Sequence, residues 1–349
     1  MELGYILLVA LIKALVIVTL LLLSAAALVF LERRVAGYIQ DRFGPNRLGP
    51  FGVLQPFADV IKLFMKEDIV PDAADKHFHG IAPMITLGVA VAVYAVIPFA
   101  DPIKINGTEI QMGLAVAKDI NIGVLFILAM TGVGVYGVTL AGWSSNNKYS
   151  LLGGIRSCAQ MISYEISMGL AIVGIVMISG EFGIMDIVHS QSNWAWNLFR
   201  QPLGFLVYLV AAFAEMNRTP FDLAEAEHEL VSGYNTEYTG MKFGSFFLGE
   251  YANIATSSLI ISLLYLGGWT LPVPAEWIGL AEGTILMAVV QFLVLAVKVF
   301  LMTMFVIWVR WSLPRFRYDQ LMNLGWKVLL PIALVNIVLV AVGIKLFLN

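Results

Sequence analysis

The stretch that decides the fold covers residues 3–31 and reads LGYILLVALIKALVIVTLLLLSAAALVFL, followed directly by Glu32-Arg33-Arg34. About 20 apolar residues are enough to cross a bilayer as a helix. The run is longer than the core of a secretory signal, and it ends in charged residues instead of a small-residue cleavage site. We therefore expect a membrane span that the mature protein retains.

The composition is that of a protein whose solvent is largely lipid. Of the 349 residues, 59% are hydrophobic and 13% are charged, whereas soluble domains are about half apolar and about a quarter charged. The net charge of −3 and the lack of a basic run predict no nucleic-acid partner. The single cysteine, Cys158, excludes an internal disulfide and cannot alone hold an iron–sulfur cluster, which needs about four thiolates.

Eight apolar stretches are long enough, or nearly so, to cross a bilayer as helices. They predict an all-α integral membrane protein, a bundle of about eight transmembrane helices that forms a single domain over residues 1–349. The fifth stretch is the shortest. The predicted spans are residues 3–31, 81–100, 115–143, 162–181, 202–215, 243–268, 285–309 and 328–348.

Lysine and arginine are concentrated in every second connection between these spans, and short basic loops stay on the cytoplasmic side of a membrane. The cytoplasmic loops are therefore predicted at about residues 32–80, 143–161, 216–242 and 310–327, which places both termini on the periplasmic side. The opposite connections contain little beyond Lys104, Lys118 and Arg200.

The first cytoplasmic loop contains an amphipathic segment. Apolar side chains recur at helical spacing from Leu54 to Met65, and Gln55, Asp59 and Lys62 occupy the other face. A helix of this kind lies in the membrane interface or packs on the protein's own loops. The pattern alone does not separate these two arrangements.

A further helix is predicted in the third cytoplasmic loop. Thr219 is a suitable N-cap, Pro220 suits the first helical position, and Asp222 follows three residues after the cap. The helix would continue to Leu230. Its carboxylates are Asp222, Glu225, Glu227 and Glu229.

Carboxylates inside the spans are the first candidate chemical groups. Glu165, Glu215 and Glu250 lie within predicted spans or at their ends. A charged side chain in hydrocarbon costs about 2.5–3.5 kcal/mol, so it normally faces the bundle interior or a wet cavity. The structural alternative is a glutamate that pairs with an arginine across two helices.

The acidic residues of the loop helix would repel one another. Asp222, Glu225 and Glu229 share one helical face, and two carboxylates about 8 Å apart at an effective dielectric near 20 repel by roughly 2 kcal/mol, or about one and a half pKa units. Crowding and partial burial therefore raise their pKa values toward neutrality, the range that a proton relay needs. The alternative is a solvated helix face without a chemical role.

Two other patterns carry no chemistry in our interpretation. Residues 132–137 fit the dinucleotide fingerprint G-x-G-x-x-G, but they lie in an apolar span and follow no strand, which favours helix packing. None of the histidines lies deep in a predicted span, so we expect no transmembrane haem. His77 and His79 lack further obvious ligands, so we expect no metal site in this chain. The four histidines are His77, His79, His189 and His228.

Several motifs lie mainly in the predicted cytoplasmic loops and extend over nearly the whole chain. They are Glu32-Arg33-Arg34, Gly44-Pro45-Asn46, Gln55-Pro56-Phe57-Ala58-Asp59, Lys66-Glu67-Asp68, residues 142–153, Ser163-Tyr164-Glu165, residues 214–222, residues 225–230, Gly233-Tyr234, Glu237-Tyr238 and Gly249-Glu250-Tyr251. These motifs are too long to agree with one family by chance. Together they resemble the H-subunit family of bacterial NADH-quinone oxidoreductase (respiratory complex I), which includes mitochondrial subunit 1.

The resemblance implies a membrane subunit of the bacterial inner membrane that anchors the peripheral arm of the complex, forms much of the quinone chamber and is inactive alone. Quinone would be the substrate, FMN and iron–sulfur clusters would belong to partner subunits, and the other partners would be neighbouring subunits and lipid. The implied quinone-chamber residues are Glu32, Arg33, Arg42 and Asp59. The candidate proton-coupling carboxylates are Glu165, Glu215, Asp222, Glu225, Glu227, Glu229 and Glu250.

Three alternatives stay open. The nearest is the equivalent membrane subunit of an ion-pumping nickel–iron hydrogenase, although the intact acidic block at 225–229 and Glu237-Tyr238 favour the quinone enzyme. A secondary transporter would be expected to show internal repeats and broken helices around a midplane site, and the sequence shows no repeat. The third is a purely structural scaffold.

Overall fold

The computed structural model describes residues 2–105, 108–113, 120–192, 194–224, 227–271 and 283–347. Within these ranges, the side chains of residues 2, 3, 5, 6, 105, 108–113, 227, 228 and 347 lie outside the description. Helices dominate the described ranges, and seven of them are long and apolar enough to cross a membrane. The fold is an all-α membrane bundle, as the composition predicts.

The described elements are long helices, shorter helices, one π-helical turn and two strands. The long helices are α1 (Glu2–Ile39), α3 (Lys76–Ala92), α4 (Gly123–Ser144), α5 (Lys148–Ser179), α10 (Gly240–Tyr265), α11 (Ile285–Ser312) and α13 (Leu330–Phe347). The shorter helices are α2 (Gln55–Met65), α6 (Ile184–His189), α7 (Asn197–Arg200), α8 (Pro202–Glu215), α9 (Glu227–Leu230) and α12 (Tyr318–Asn323). A π-helical turn, Leu324–Leu329, joins α12 to α13, and two strands, β1 (Pro98–Ile105) and β2 (Thr108–Gly113), form a hairpin.

Each predicted span corresponds to a helix. The fifth, α8, has the predicted bounds, but its 14 residues extend only about 21 Å, less than the roughly 30 Å of a hydrocarbon core. It packs against α5 and α13, so protein covers part of its surface. Of the long helices, α10 is the most buried and α1 and α11 are among the least. Residues 115–119 and 348 of the predicted spans lie outside the described residues.

The connection between the third and fourth predicted spans is shorter than predicted. The Asn147 side chain caps α5 by accepting a hydrogen bond from Tyr149 N at 2.9 Å, so the predicted loop at 143–161 is reduced to residues 145–147. The sequence placed the start of this span at residue 162 because polar residues precede it. Those residues include Ser157 and Gln160, which are fully buried against protein, and the helix therefore needs no lipid there.

The predicted helix starting at Thr219 is wrong. A cis peptide joins Thr219 to Pro220, residues 219–224 form turns, and the described helix in this loop is the short α9. Gln160 Nε2 donates hydrogen bonds to Ala214 O at 2.7 Å and Phe221 O at 2.8 Å. These contacts hold the loop against α5, and they use backbone oxygens on both sides of the predicted helix start.

The amphipathic helix α2 is confirmed. It packs on α1 and α10, yet the apolar side chains of Phe57, Ile61, Phe64 and Met65 are exposed, with Met65 at 83%. Exposed apolar side chains along one face favour the membrane interface over packing on the protein's own loops.

The glycines at positions 132–137 lie within α4 and allow close helix packing. A Cβ on Gly137 would stand 2.3 Å from Thr86 Oγ1, and a Cβ on Gly132 would stand 3.0 Å from Glu165 Oε1. Small residues let neighbouring membrane helices approach in this way. The glycine pattern thus serves the packing of α4 against α3 and α5, in agreement with the packing interpretation.

The β-hairpin was not predicted, and its first strand carries an ordered polar cluster. Strands β1 and β2 pair antiparallel, with Lys104 opposite Glu109. Asp101 Oδ1 accepts a hydrogen bond from Trp269 Nε1 at 2.8 Å and lies 2.8 Å from His189 Nε2, while Asp101 Oδ2 accepts from Gln291 Nε2 at 2.6 Å. These bonds tie the hairpin to α6, to the segment that follows α10 and to α11.

Replacing Asp101 with asparagine is expected to lower the free energy of unfolding by about 1 kcal/mol at neutral pH, a value reduced by the partial exposure of this side chain. Burial raises the pKa of Asp101, but the hydrogen bonds from His189, Trp269 and Gln291 outweigh it and hold the pKa below its ordinary value. A carboxyl with a lowered folded pKa stabilises the protein above its unfolded pKa of about 3.9, and this stabilisation is lost as the pH falls through the folded pKa.

Thermal unfolding midpoints in mild detergent between pH 3 and pH 8 test this expectation. The difference between wild type and Asp101→Asn should shrink below about pH 4. Asp186→Asn, an exposed carboxyl on α6, is the control and should show no such dependence. Equal midpoints for wild type and Asp101→Asn at pH 7 would contradict the stabilising role of the Asp101 carboxylate.

Candidate functional site

The candidate site is a cavity of about 60 Å³ enclosed by α3, α4, α5, α8 and α10. Two carboxylates, Glu215 and Glu250, line it together with Tyr234 and Asn217. A polar cavity needs only about 10–15 Å³ to hold one water molecule. The cavity can therefore hold water beside ionisable groups inside the bundle.

Glu250 is paired with an arginine. Glu250 Oε2 lies 3.1 Å from Arg218 Nη2, and Glu250 Oε1 accepts a hydrogen bond from the Tyr234 hydroxyl at 3.2 Å. The Arg218 guanidinium also lies over the Tyr251 ring, 4.6 Å from its centroid. Both charged side chains are buried, so each compensates the charge of the other inside the bundle.

Two further acids pair with arginines that precede α12. Asp222 Oδ2 accepts a hydrogen bond from Arg315 Nη2 at 2.7 Å, and the buried Glu32 carboxylate pairs with Arg310. Burial raises the pKa of Asp222, and the charge of Glu250 acts in the same direction, while Arg315 opposes them. The net shift of the Asp222 pKa is upward, toward the range that proton transfer requires.

Glu165 and Glu215 differ from these acids. Neither makes an ion pair with any residue in the described part of the chain. The two carboxylates repel each other, and Glu165 packs against the backbone of α4 at Gly132. The acids of the site thus fall into an arginine-paired group and an uncompensated pair.

The remaining acidic residues of the loop are only partly described. Glu229 Oε2 accepts a hydrogen bond from Arg156 Nη1 at 2.5 Å and is half exposed. Glu225 and the side chain of Glu227 lie outside the described residues. The predicted helical face shared by Asp222, Glu225 and Glu229 is wrong for Asp222, which lies before α9 and outside any helix.

The residues expected to shape a quinone chamber are brought together only in part. Arg33 Nη1 donates to Asp59 Oδ2 at 2.5 Å, and Gln55 Nε2 donates to Asp59 Oδ1 at 3.2 Å, so α1 and α2 are joined by a charged contact. Arg42 is exposed and donates to Gln40 Oε1 at 2.7 Å. No hydrogen bond between described residues joins Arg42 to the other three.

Sequence reasoning missed the partners of the acids. The missed residues are Arg218, Tyr234, Arg310 and Arg315. All of them lie in the predicted cytoplasmic loops, but Glu32 and Arg310 are 278 residues apart, and no local spacing connects them. The available signal was the number of arginines near the loops, since buried acids normally have a cationic partner.

Within the described ranges, no group of three or more histidine, cysteine, aspartate or glutamate side chains could hold a metal ion. The fold and the site define a multi-span membrane protein with a buried set of carboxylates, some of them neutralised by arginines. The family model for NADH dehydrogenase matches residues 12–341. The chain belongs to this family.

Relatives with similar sequences cover nearly the whole chain. It is 51% identical over 341 residues to the H subunit of NADH-quinone oxidoreductase from Salinibacter ruber, with 96% of this chain and 95% of that protein aligned. It is 50% identical over 341 residues to NADH-quinone oxidoreductase subunit 8 of Rhodothermus marinus, with 96% of each covered. A third relative, the NADH-quinone oxidoreductase H subunit 1 of Cytophaga hutchinsonii, is 48% identical over 329 residues, with 94% of each covered.

Proposed function

We propose that this chain is the membrane subunit of a proton-translocating NADH:quinone oxidoreductase, in which it forms much of the quinone chamber and carries the acidic residues that couple quinone reduction to proton movement. Family membership and the names of the relatives support the assignment to this enzyme. The observation that carries the coupling role is the uncompensated pair Glu165 and Glu215 beside the arginine-paired acids Asp222 and Glu250.

The uncompensated acids and the arginine-paired acids have different roles. Two carboxylates that repel each other in a poorly solvated place titrate as a pair and favour a shared proton. The arginines beside Asp222 and Glu250 supply the positive charge that sets the local potential. When negative charge arises near the chamber during quinone reduction, an uncompensated anion there is costly. The proton held by Glu165 and Glu215 then shifts. This shift passes the change in charge laterally through the membrane.

The chamber would be framed by α1, α2 and the loops that follow α1. The exposed apolar face of α2 gives a long apolar tail a path from the membrane, and the Arg33–Asp59 contact fixes α2 against α1. Glu32, held by Arg310, would lie at the chamber wall. Arg42, exposed beyond α1, would contact the peripheral arm.

The electrons would reach quinone from outside this chain. FMN and iron–sulfur clusters would belong to partner subunits of the peripheral arm, and the chain would be inactive alone. It would lie in the bacterial inner membrane with both termini on the periplasmic side. Its neighbours would be the quinone-site subunits of the arm and the small membrane subunits beside it.

Tagging the chain and extracting it in mild detergent tests this function. We expect iron–sulfur signals in electron paramagnetic resonance and inhibitor-sensitive NADH–quinone turnover in the copurified material. Copurification with nickel and hydrogen-dependent turnover would instead assign it to a hydrogenase. A chain that purifies alone, without turnover, would contradict the proposal.

A further inference from the structure

A π-helical turn, Leu324–Leu329, lies between α12 and α13 and is here called the π turn. Its hydrogen bonds close over one residue more than those of an α-helix, and such turns are rare and occur frequently at functional sites. The π turn packs against α5, the helix that carries Glu165. None of its residues lines the acidic cavity, so any effect it has on the acids passes through α5.

The spacing of the buried residues explains the extra residue in the π turn. From α12 into α13 the buried positions follow one another at intervals of four residues. They are Leu321, Gly325, Leu329 and Ala333. An α-helix turns by about 100° per residue, so each interval of four overshoots a full turn by about 40°, and three intervals overshoot it by about 120°. The wider π turn takes up this rotation and keeps the four residues on the buried side.

Tyr164 fixes the π turn against α5. Its hydroxyl donates a hydrogen bond to Leu321 O at 2.8 Å, and its buried ring lies against Gly325, where an added Cβ would stand 3.3 Å from Tyr164 Cε2. The ring therefore occupies the space that a larger side chain at position 325 would need. This contact joins the π turn to the residue directly before Glu165.

Trp326 makes a second contact between the π turn and α5. Its indole Nε1 donates to Ser163 Oγ at 3.0 Å, and Ser163 Oγ donates to Ala159 O at 2.6 Å. An indole only donates, so the serine hydroxyl accepts from it and directs its own hydrogen to Ala159 O. A serine bonded to the carbonyl four residues back often bends a helix. Trp326 thus holds the hydroxyl in the orientation that shapes α5 two residues before Glu165.

Glu165 itself lies nearly opposite this contact, about 200° around α5 from Ser163. There its carboxylate reaches the backbone of α4, since a Cβ on Gly132 would stand 3.0 Å from Glu165 Oε1, and it is repelled by Glu215 on α8. The repulsion between two charges depends on their separation. A shift or bend of α5 at Ser163 therefore changes the interaction between the two carboxylates.

We propose that Trp326 is a positioning residue for proton transfer by Glu165, with the π turn as the support that holds α5 in place. Trp326 does not contact the proton-transferring groups, and it acts through Ser163 and the backbone of α5. The separation of Glu165 and Glu215 then depends on a hydrogen bond from a helix that lies outside the acidic cavity. This inference rests on the proposed coupling role of Glu165.

Trp326→Phe tests the hydrogen bond, because it removes the indole N–H and keeps an aromatic ring. In vesicles that contain the assembled complex, it should lower proton-coupled NADH–quinone turnover about fivefold, the effect of one lost hydrogen bond, and leave KM for quinone unchanged. Trp308→Phe, the same change at an exposed position of α11, is the control and should leave turnover unchanged.

A second measurement repeats Trp326→Phe in a chain that already carries Glu165→Gln. If Trp326 acts through Glu165, the residual turnover should not fall further, whereas a purely structural role would lower it again. Ser163→Ala removes the acceptor, and its combination with Trp326→Phe should lose no more turnover than either change alone. Gly325→Ala keeps the indole but crowds Tyr164, so it tests the π turn independently and should also lower turnover when Glu165 is intact.

The possible failures of this inference and of the proposed function can be told apart. Wild-type turnover in Trp326→Phe beside an impaired Glu165→Gln would overturn the positioning role alone. A further loss in the Glu165→Gln background, or a rise in quinone KM that accounts for the loss, would also overturn it. Wild-type turnover and pumping in Glu165→Gln would instead contradict the coupling role on which the inference rests.

Discussion

Replacing Arg218 with methionine is expected to lower the free energy of unfolding of the chain by about 3–5 kcal/mol, because removal of one partner leaves the other charge buried without compensation. Glu250 would be that charge, since its side chain is 11% exposed and its ion-pair partner is Arg218. The Tyr234 hydroxyl alone does not replace a guanidinium. The thermal unfolding midpoint in mild detergent and the yield of assembled protein measure the loss.

A matched exposed pair separates the effect of burial from the loss of an arginine. Arg317 Nη2 lies 3.2 Å from Asp319 Oδ2, and the two side chains are 74% and 62% exposed. Exposed pairs contribute about 0–1 kcal/mol, so Arg317→Met should leave the midpoint almost unchanged.

A double variant tests the cause of the Arg218 effect. Arg218→Met combined with Glu250→Gln removes both charges, and it should recover most of the stability that Arg218→Met loses. An Arg218→Met protein as stable as the wild type would show that water or another cation compensates Glu250. A double variant as unstable as Arg218→Met would assign the loss to the packing of Arg218 on Tyr251.

The membrane spans could be predicted from the sequence because lipid imposes a single condition, a long apolar run. The condition fails where protein replaces lipid. The first half of α5 contains Ser157 and Gln160, fully buried between helices, so composition placed the start of this helix too far along the chain. The β-hairpin was not predicted for a similar reason. Its first residues continue an apolar run, so composition assigned them to a span. Asn106-Gly107, a pair favoured in hairpin turns, was an available signal.

The candidate acids could be predicted because a carboxylate in an apolar context is costly and therefore conspicuous. Their partners could not, because the ion pairs join residues far apart in the chain, such as Asp222 and Arg315, 93 residues apart. The loop after α8 shows a further limit. Thr219-Pro220 has the local signs of a helix start, but Gln160 on α5 holds the loop in turns, and this tertiary contact overrides the local pattern.

Replacing Glu215 with glutamine is expected to lower proton-coupled quinone reduction by about a hundredfold, the lower range for loss of a positioned proton-transfer group. Glutamine has nearly the same shape but cannot take up or release a proton. Because Glu215 has no ion-pair partner among the described residues and is repelled by Glu165, its replacement should not destabilise the chain. A stability that is unchanged or slightly higher, together with lost activity, is the pattern of a residue held for function.

The measurement is NADH–quinone turnover and proton pumping in vesicles that contain the assembled complex, with the unfolding midpoint determined on the same preparations. Glu181→Gln, an exposed glutamate just after α5, is the control and should leave turnover, pumping and midpoint unchanged. Glu165→Gln should follow Glu215→Gln, since either change leaves a single carboxylate that has no neighbour to share a proton with. Normal pumping in both variants would show that Glu165 and Glu215 take no part in coupling quinone reduction to proton movement. A fall in the midpoint together with lost activity would instead indicate that Glu215 holds α8 in place, because a residue that only transfers a proton does not stabilise the helix that carries it.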